Sequence, residues 1–390
     1  MNYSAYQTEI NALRTTIANL PDGDTRLFSP TQAAVISASI YNLLPEADPA
    51  TYPAMVREIN MFQKWATRDL RHVELVDTFE ACGAVPAWQE MASAPKIFCS
   101  FHLGSYRVIL LYLMRHGLKV SMLVDAAVAG LQAEEFFAAS NELSQHYGLG
   151  PDIFRFCDTS DNNIMRTLTR ELRQGRSVVI FIDGNLGRDG RAGKAGNMVD
   201  IEFCGRTLQC RKGVGYLSYL SKTPVIAVSA KRGPEDLWRN TITFGEPING
   251  NPAAGRDEYC RAVTEQAYAH LEENLKDAPT QWEAWRYIDK SLTKAPAAGA
   301  VTRETGIDED TGLQMNLKRY LLSPFTDTQE LLFDRSSYNS VLISKEFAAF
   351  LNSFGCDTKT VADCLAFDRV THSTLDALID KEILITTTHA

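Results

Sequence analysis

The 390-residue chain has no surplus of positive charge: 39 Lys and Arg stand against 48 Asp and Glu, a formal net charge of -9. A nucleic-acid binder normally carries a basic face to neutralise phosphates, so the balance argues against that class of partner. No stretch approaches the roughly 18 uninterrupted apolar residues that a membrane-crossing helix needs. The opening MNYSAYQTEINALRTT lacks the basic and apolar regions of a secretory leader, which leaves peripheral contact with a membrane surface as the lipid contact to expect. Eight cysteines, at 82, 99, 157, 204, 210, 260, 356 and 364, form no CxxC pair and no zinc-ligand spacing. They read as reduced thiols in a cytoplasmic protein with neither metal nor cofactor. What the chain does have is 45% hydrophobic residues, enough for a sizeable core.

The most informative stretch is KIFCSFHLGSYR, residues 96–107. Residues 96–101 read as a buried strand, since a short apolar run bounded by Pro95 and a Gly-Ser turn fits a central strand. Apolar residues then recur at helical spacing from Leu103 through Tyr106, Ile109, Leu110 and Leu113. His102 is thus expected between a strand end and a helix N-terminus, where open α/β sheets keep their chemistry.

Residues 1 to about 90 read as a helical cap. Strands are expected at 96–101, 119–124, 153–156, 177–182, 199–203, 225–230 and 241–244, with helices near 104–116, 132–147, 161–174, 212–221, 257–275 and 280–289. Such alternation predicts an α/β fold with a mostly parallel central sheet flanked by helices. The composition changes to a linker at 291–312. Residues 313–390 form a smaller domain, with strands at 330–333, 341–343 and 383–385 and helices near 344–353, 358–366 and 373–380. The expected organisation is therefore 1–290, a linker, and a C-terminal domain of winged-helix-like pattern.

A neutral imidazole at the mouth of a sheet can take a proton from an alcohol or amine, which makes His102 the candidate general base. Two carboxylates end neighbouring candidate strands, Asp125 after SMLV and Asp183 after VVIFI, and either is placed to orient the ring. After Asp183, GNLGRDGRAGKAG sets glycines at every third position with Arg188, Arg191 and Lys194 between them. This reads as a basic flap suited to an anionic donor, with a plain solvated loop as the rival reading. Arg206, beside the turn at Gly205, and Lys212, before a helix start, are further anion-site candidates. Cys204 and Cys210 read as packing residues rather than nucleophiles. Trp282, Trp285 and Arg286 are expected on one helical face in the core.

Several blocks, in order and in register, resemble the lysophospholipid acyltransferase superfamily in its branch of lipid A lauroyl and myristoyl acyltransferases. They are YNLLPEADPATYPAMVREI, FHLGSY, LRQGRSVVIFIDGN, VDIEFCGRTLQCRKGVGYLSYLSKTPVIAV and PTQWEAWRYI, spread over about residues 40–290. The resemblance implies transfer of an acyl group from an acyl carrier protein or CoA thioester, with the histidine as base on the acceptor. It also implies an acidic residue five positions after the histidine, where this chain has Arg107. The missing carboxylate is then expected from Asp183 or Asp125. Without one, either slower transfer to a more nucleophilic acceptor such as an amine, or a non-catalytic protein that binds an acyl carrier or peptide, is the alternative. The family's N-terminal membrane helix has no counterpart here, so a soluble or surface-bound acceptor in a specialised biosynthetic pathway is expected.

The C-terminal segment is faintly similar to PqqD-like winged-helix domains, which bind leader peptides by adding a strand to a sheet edge. A DNA-binding winged helix fits poorly with 7 basic against 10 acidic residues over 313–390. A structural or dimerising appendage is the plain alternative.

Overall fold

The structure, a computed structural model, describes residues 3–124, 126–184, 195–233, 235–293, 307–355 and 357–387. Three helices come first, α1 (Tyr3–Ala18), α2 (Pro30–Leu43) and α3 (Tyr52–Asp69), followed by β1 (Phe79–Gly83) and the short α4 (Trp88–Ser93). The alternating region runs β2 (Ile97–Ser100), α5 (Tyr106–Arg115), β3 (Val120–Val124), α6 (Ala126–Tyr147), β4 (Phe154–Asp158), α7 (Ile164–Arg173) and β5 (Ser177–Phe181). It continues through β6 (Met198–Phe203), β7 (Arg206–Arg211), α8 (Gly213–Ser221), β8 (Val225–Arg232), β9 (Asn240–Phe244) and α9 (Arg256–Asp277). The last part contains β10 (Gly312–Met315), β11 (Tyr320–Pro324), β12 (Gln329–Asp334), β13 (Asn339–Ser344), α10 (Lys345–Asn352), β14 (Lys359–Thr360), α11 (Val361–Leu365), α12 (His372–Asp380) and β15 (Leu384–Thr387). Among the described residues, no helix is long and apolar enough to cross a membrane.

Contacts divide the chain into Met1–Leu20 with Arg57–Leu292, and Pro21–Val56 with Thr293–Ala390. The first unit is built on a seven-stranded sheet of order β1-β9-β8-β2-β5-β3-β4. Strands β8, β2, β5, β3 and β4 are mutually parallel, while β9 turns back antiparallel on β8 and carries β1 with it. The central strands β2, β5 and β8 are buried almost end to end, as expected where helices cover both faces of a sheet. The sheet is thus the α/β, mostly parallel one anticipated.

Three local expectations differ from the structure. The strand at 199–203 is not part of the central sheet; β6 pairs antiparallel with β7 in a separate hairpin. Its turn has Cys204 at φ 48° and Gly205 at φ 70°, the paired left-handed geometry of a tight two-residue connection. Residues 280–289 form successive 3-10 turns rather than one helix. Residues 21–56, expected in the first domain, belong instead to the second unit.

The physical reason for that last difference lies on α2. Its small residues Ala34 and Ala38 pack on Leu331 and Phe333 of β12. Beside them the buried Arg335 donates from Nε to Ser37 Oγ at 2.6 Å and from Nη1 to the carbonyls of Leu317 and Lys318 at 2.7 and 3.0 Å. Asn42 Nδ2 returns a bond to the Arg335 carbonyl at 2.7 Å. The remainder of the second unit consists of the β14-β10-β15 and β11-β12-β13 sheets and a core that includes Leu313, Leu351, Phe354, Val361 and Leu384. Side-chain caps from Ser344, Thr360 and Thr371 start its three helices.

Replacing Arg335 by Ala removes the donor from several buried acceptors at once, and each orphaned group costs about 1–3 kcal/mol. The variant is expected to unfold its second unit at clearly lower denaturant concentration than the wild type, measured by urea titration followed by circular dichroism.

Candidate active site

Parallel pairing of β2 with β5 places Ser100 opposite Phe181. Each chain then runs two residues further, and His102 and Asp183 meet beyond the carboxyl ends of adjacent strands. Imidazole Nδ1 lies 2.8 Å from Asp183 Oδ1, and the His102 backbone N–H donates to Oδ2 at 2.9 Å. A third donor, the indole Nε1–H of Trp282, reaches the same Oδ2 at 2.8 Å. The carboxylate is fully buried and the imidazole side chain is 21% exposed. Because a carboxylate only accepts, Nδ1 carries the proton and the lone pair of the neutral ring sits on Nε2. No described residue bonds to Nε2.

Burial acts to lower the imidazole pKa, but the Asp183 charge and hydrogen bond outweigh it and leave the pKa raised. Glu283 adds to the rise and Arg107 opposes it. The ring stands edge-on to Tyr106 at 4.8 Å and against Phe181 at 5.1 Å between centroids. Tyr106 in turn donates its hydroxyl to Glu283 at 3.1 Å.

The loop carrying His102 is fastened by the 281–283 segment. Gly104 N–H donates to the Gln281 carbonyl at 3.0 Å, and Glu283 N–H to the His102 carbonyl at 2.9 Å. Gln281 also bonds both ways to the Arg232 backbone at 2.9 Å, which ties the loop to β8. Gly104 has φ +58°, and a Cβ there would meet the Ala230 carbonyl oxygen at 2.4 Å. Only glycine fits this close backbone crossing. Further back, Arg232 forms a buried 2.6 Å ion pair with Asp69, which Tyr6 also bonds at 2.7 Å.

The structure thus brings His102 and Asp183 together. Asp125, Arg188, Arg191 and Lys194 lie outside the described residues; β3, the strand before Asp125, is separated from β2 by β5. Neither Arg206 nor Lys212 bonds to His102 or Asp183. Lys212 Nζ is engaged by Asp257 at 2.8 Å. Arg206 begins β7, four residues from Cys210, which is roughly 13 Å along an extended strand. A cavity bordered by Asp183, Gly184, Cys210 and Tyr287 lies on this side of the pair, and its basic side chains are Arg211 and Lys290. Sequence reasoning passed over both, although RK and IDK flank the expected elements; it also read Trp282 as core packing alone.

The thiols near the site, Cys99, Cys204 and Cys210, show no activation. Burial raises the pKa of Cys99 far above its usual range and pushes those of Cys204 and Cys210 up to about 12. Among the described residues, no group of three or more His, Cys, Asp or Glu is placed to hold a metal ion. No family model matches the chain, and no curated protein matches it.

Two outcomes follow from this geometry. In Asp183→Asn the raised imidazole pKa is expected to fall to or below the free value of about 6.5, read by NMR titration of the ring. Gly104→Ala combines left-handed strain with a backbone clash and is expected to cost about 2–4 kcal/mol, measured by chemical denaturation.

Proposed function

We propose that the protein is an acyltransferase that moves a fatty acyl group from an acyl carrier protein or CoA thioester to a hydroxyl or amine. The observation that carries this reading is the 2.8 Å contact between His102 Nδ1 and a carboxylate that is itself held by two further donors. Such a pair fixes the tautomer and favours the imidazolium that forms when Nε2 takes the acceptor's proton. The freed oxygen or nitrogen attacks the thioester carbonyl, the C–S bond breaks, and the proton on Nε2 returns to the leaving thiolate. Asp183 fills the part of the acid missing at position 107. Arg211 and Lys290 on the adjoining cavity, with the basic segment 185–194, suit the phosphate of the donor's pantetheine arm. A thiol nucleophile is disfavoured by the raised cysteine pKa values.

For the C-terminal part we keep a winged-helix-like peptide-binding role. Its support is the edge position of β13, where Val341 and Leu342 are 61% and 43% exposed. An exposed apolar edge is a template for an added strand. A cytoplasmic setting fits the reduced cysteines.

His102→Ala is expected to lower thioester turnover roughly 10²–10⁴-fold, followed by mass spectrometry with acyl carrier protein and CoA donors. Equal turnover by the variant removes the catalytic assignment and leaves the binding-protein reading. Since the base must be neutral, kcat/KM should rise with pH through a midpoint above the free imidazole value of about 6.5. Asp183→Asn should move that midpoint down.

A further inference from the structure

Asp183 holds one nitrogen of the His102 ring, and the closest aromatic neighbour of that ring is Tyr106, with centroids 4.8 Å apart. Tyr106 is buried, and its hydroxyl is shared by two residues of opposite charge. It donates to Glu283 Oε2 at 3.1 Å and accepts from the guanidinium of Arg107, whose central carbon lies 5.4 Å from the phenol centroid. Burial and the Glu283 charge raise the phenol pKa well above its usual range, so the hydroxyl keeps its proton and remains the donor.

Glu283 is fixed twice to the segment that carries His102. Its own N–H donates to the His102 carbonyl at 2.9 Å, and its carboxylate accepts from Tyr106 in the first turn of α5. The other carboxylate oxygen accepts from Gln63 Nε2 of α3 at 3.3 Å and lies 3.8 Å from Arg286 Nη1. Among the described residues, neither Glu283 nor Arg107 bonds to the imidazole itself. Both nevertheless act on its charge, Glu283 favouring the imidazolium and Arg107 opposing it. A tilted aromatic contact restrains the plane of the neighbouring ring, and a phenol whose proton is shared with a carboxylate attracts a nearby cation more strongly.

We propose that Tyr106 is a positioning residue through which Glu283 and Arg107, two opposite charges meeting on one hydroxyl, hold the His102 ring for proton transfer. This rests on the reading of His102 as the base. When Nε2 takes the acceptor's proton, Glu283 joins Asp183 in supporting the charged ring. Arg107 limits that support and so eases return of the proton to the leaving thiolate. The arginine at position 107 thereby acts with a sign opposite to that of the acid the resemblance implies there, and the carboxylate at 283 offsets it.

The test titrates the full chain with ¹⁵N-labelled histidine by NMR, the His102 signal being assigned by its loss in His102→Ala, beside turnover of acyl carrier protein and CoA thioesters. The ring faces Asp183 beyond β5, Glu283 on the 281–283 segment, and Tyr106 and Arg107 on α5, while Cys99, Tyr268 and Tyr287 near Asp183 stay neutral. Glu283→Gln keeps an acceptor for the hydroxyl but removes the charge, and should lower the His102 midpoint by about half a pH unit; Arg107→Gln should raise it by a similar amount. Tyr106→Phe keeps the ring and should lower kcat severalfold with KM little changed, and in that background Glu283→Gln should shift the midpoint less than in the wild type. A purely structural role leaves both midpoints in place or moves them the same way. The proposal is overturned if Glu283→Gln leaves the midpoint unchanged or raises it, or if its shift is the same with and without the Tyr106 hydroxyl. Should either charge variant fail to fold, unchanged kcat in Tyr106→Phe overturns it equally. Midpoints that move as expected while His102→Ala turns over like the wild type support the positioning and remove the base; midpoints that stay put while His102→Ala is inactive remove the positioning alone.

Discussion

The candidate site depends on one carboxylate with no access to water. Asp183 has only protein donors to satisfy it: a backbone N–H, an indole N–H and an imidazole N–H. A buried charge is tolerable only with such partners, and each of these partners belongs to a different structural commitment. The amide requires the β2 loop to run directly beside the end of β5. The indole requires the 281–283 segment to fold back over that loop. The imidazole, last, is the only donor of the three with a second nitrogen left over for chemistry. Positioning of the histidine is therefore inseparable from the solvation of the aspartate.

The first unit devotes much of its polar interior to keeping this arrangement in register. Gln281 joins the His102 loop to β8, and β8 continues into Arg232, whose guanidinium is paired with Asp69 and lies 4.0 Å from the Trp65 ring. Tyr6 completes the network by donating its hydroxyl to Asp69 and accepting the indole N–H of Trp65, each at 2.7 Å. Hydrogen bonding of each polar member is what allows such a cluster beneath a sheet end.

Much of this was legible beforehand, and the parts that were not have specific causes. An apolar run broken by His-Leu-Gly is enough to put His102 at a strand end, because burial on both faces demands such a run and a tight crossing demands glycine. Sequence favours Asp183 over Asp125 only through the unusual glycine-rich loop that follows it, since both end apolar strands in the same way. The spatial order β2-β5-β3 separates them, and order is a long-range property. The strand at 199–203 and the turn at Gly205 are legible, but β7 and the pairing outside the central sheet are not, although the alternation of Asp200 and Glu202 outward with Ile201 and Phe203 inward already marks a half-exposed ribbon. Trp282 reads as core from its helical spacing with Trp285 and Arg286. Its ring is indeed buried, but a single N–H decides its role, and periodicity carries no information about where one N–H points. The helices expected near 344–353, 358–366 and 373–380 correspond to α10, α11 and α12, whereas β10, β11 and β14 are too short to show a period.

The three donors on Asp183 come from residues 102 and 282, with the acceptor at 183 between them. A growing chain that has finished five strands of its central sheet still has a histidine, an aspartate and an exposed indole-binding oxygen, but no site. Completion waits for Trp282, which is made after every strand of that sheet. Long-range closures of this kind form late and slowly. The buried carboxylate therefore gains its full set of donors only when the whole unit has closed.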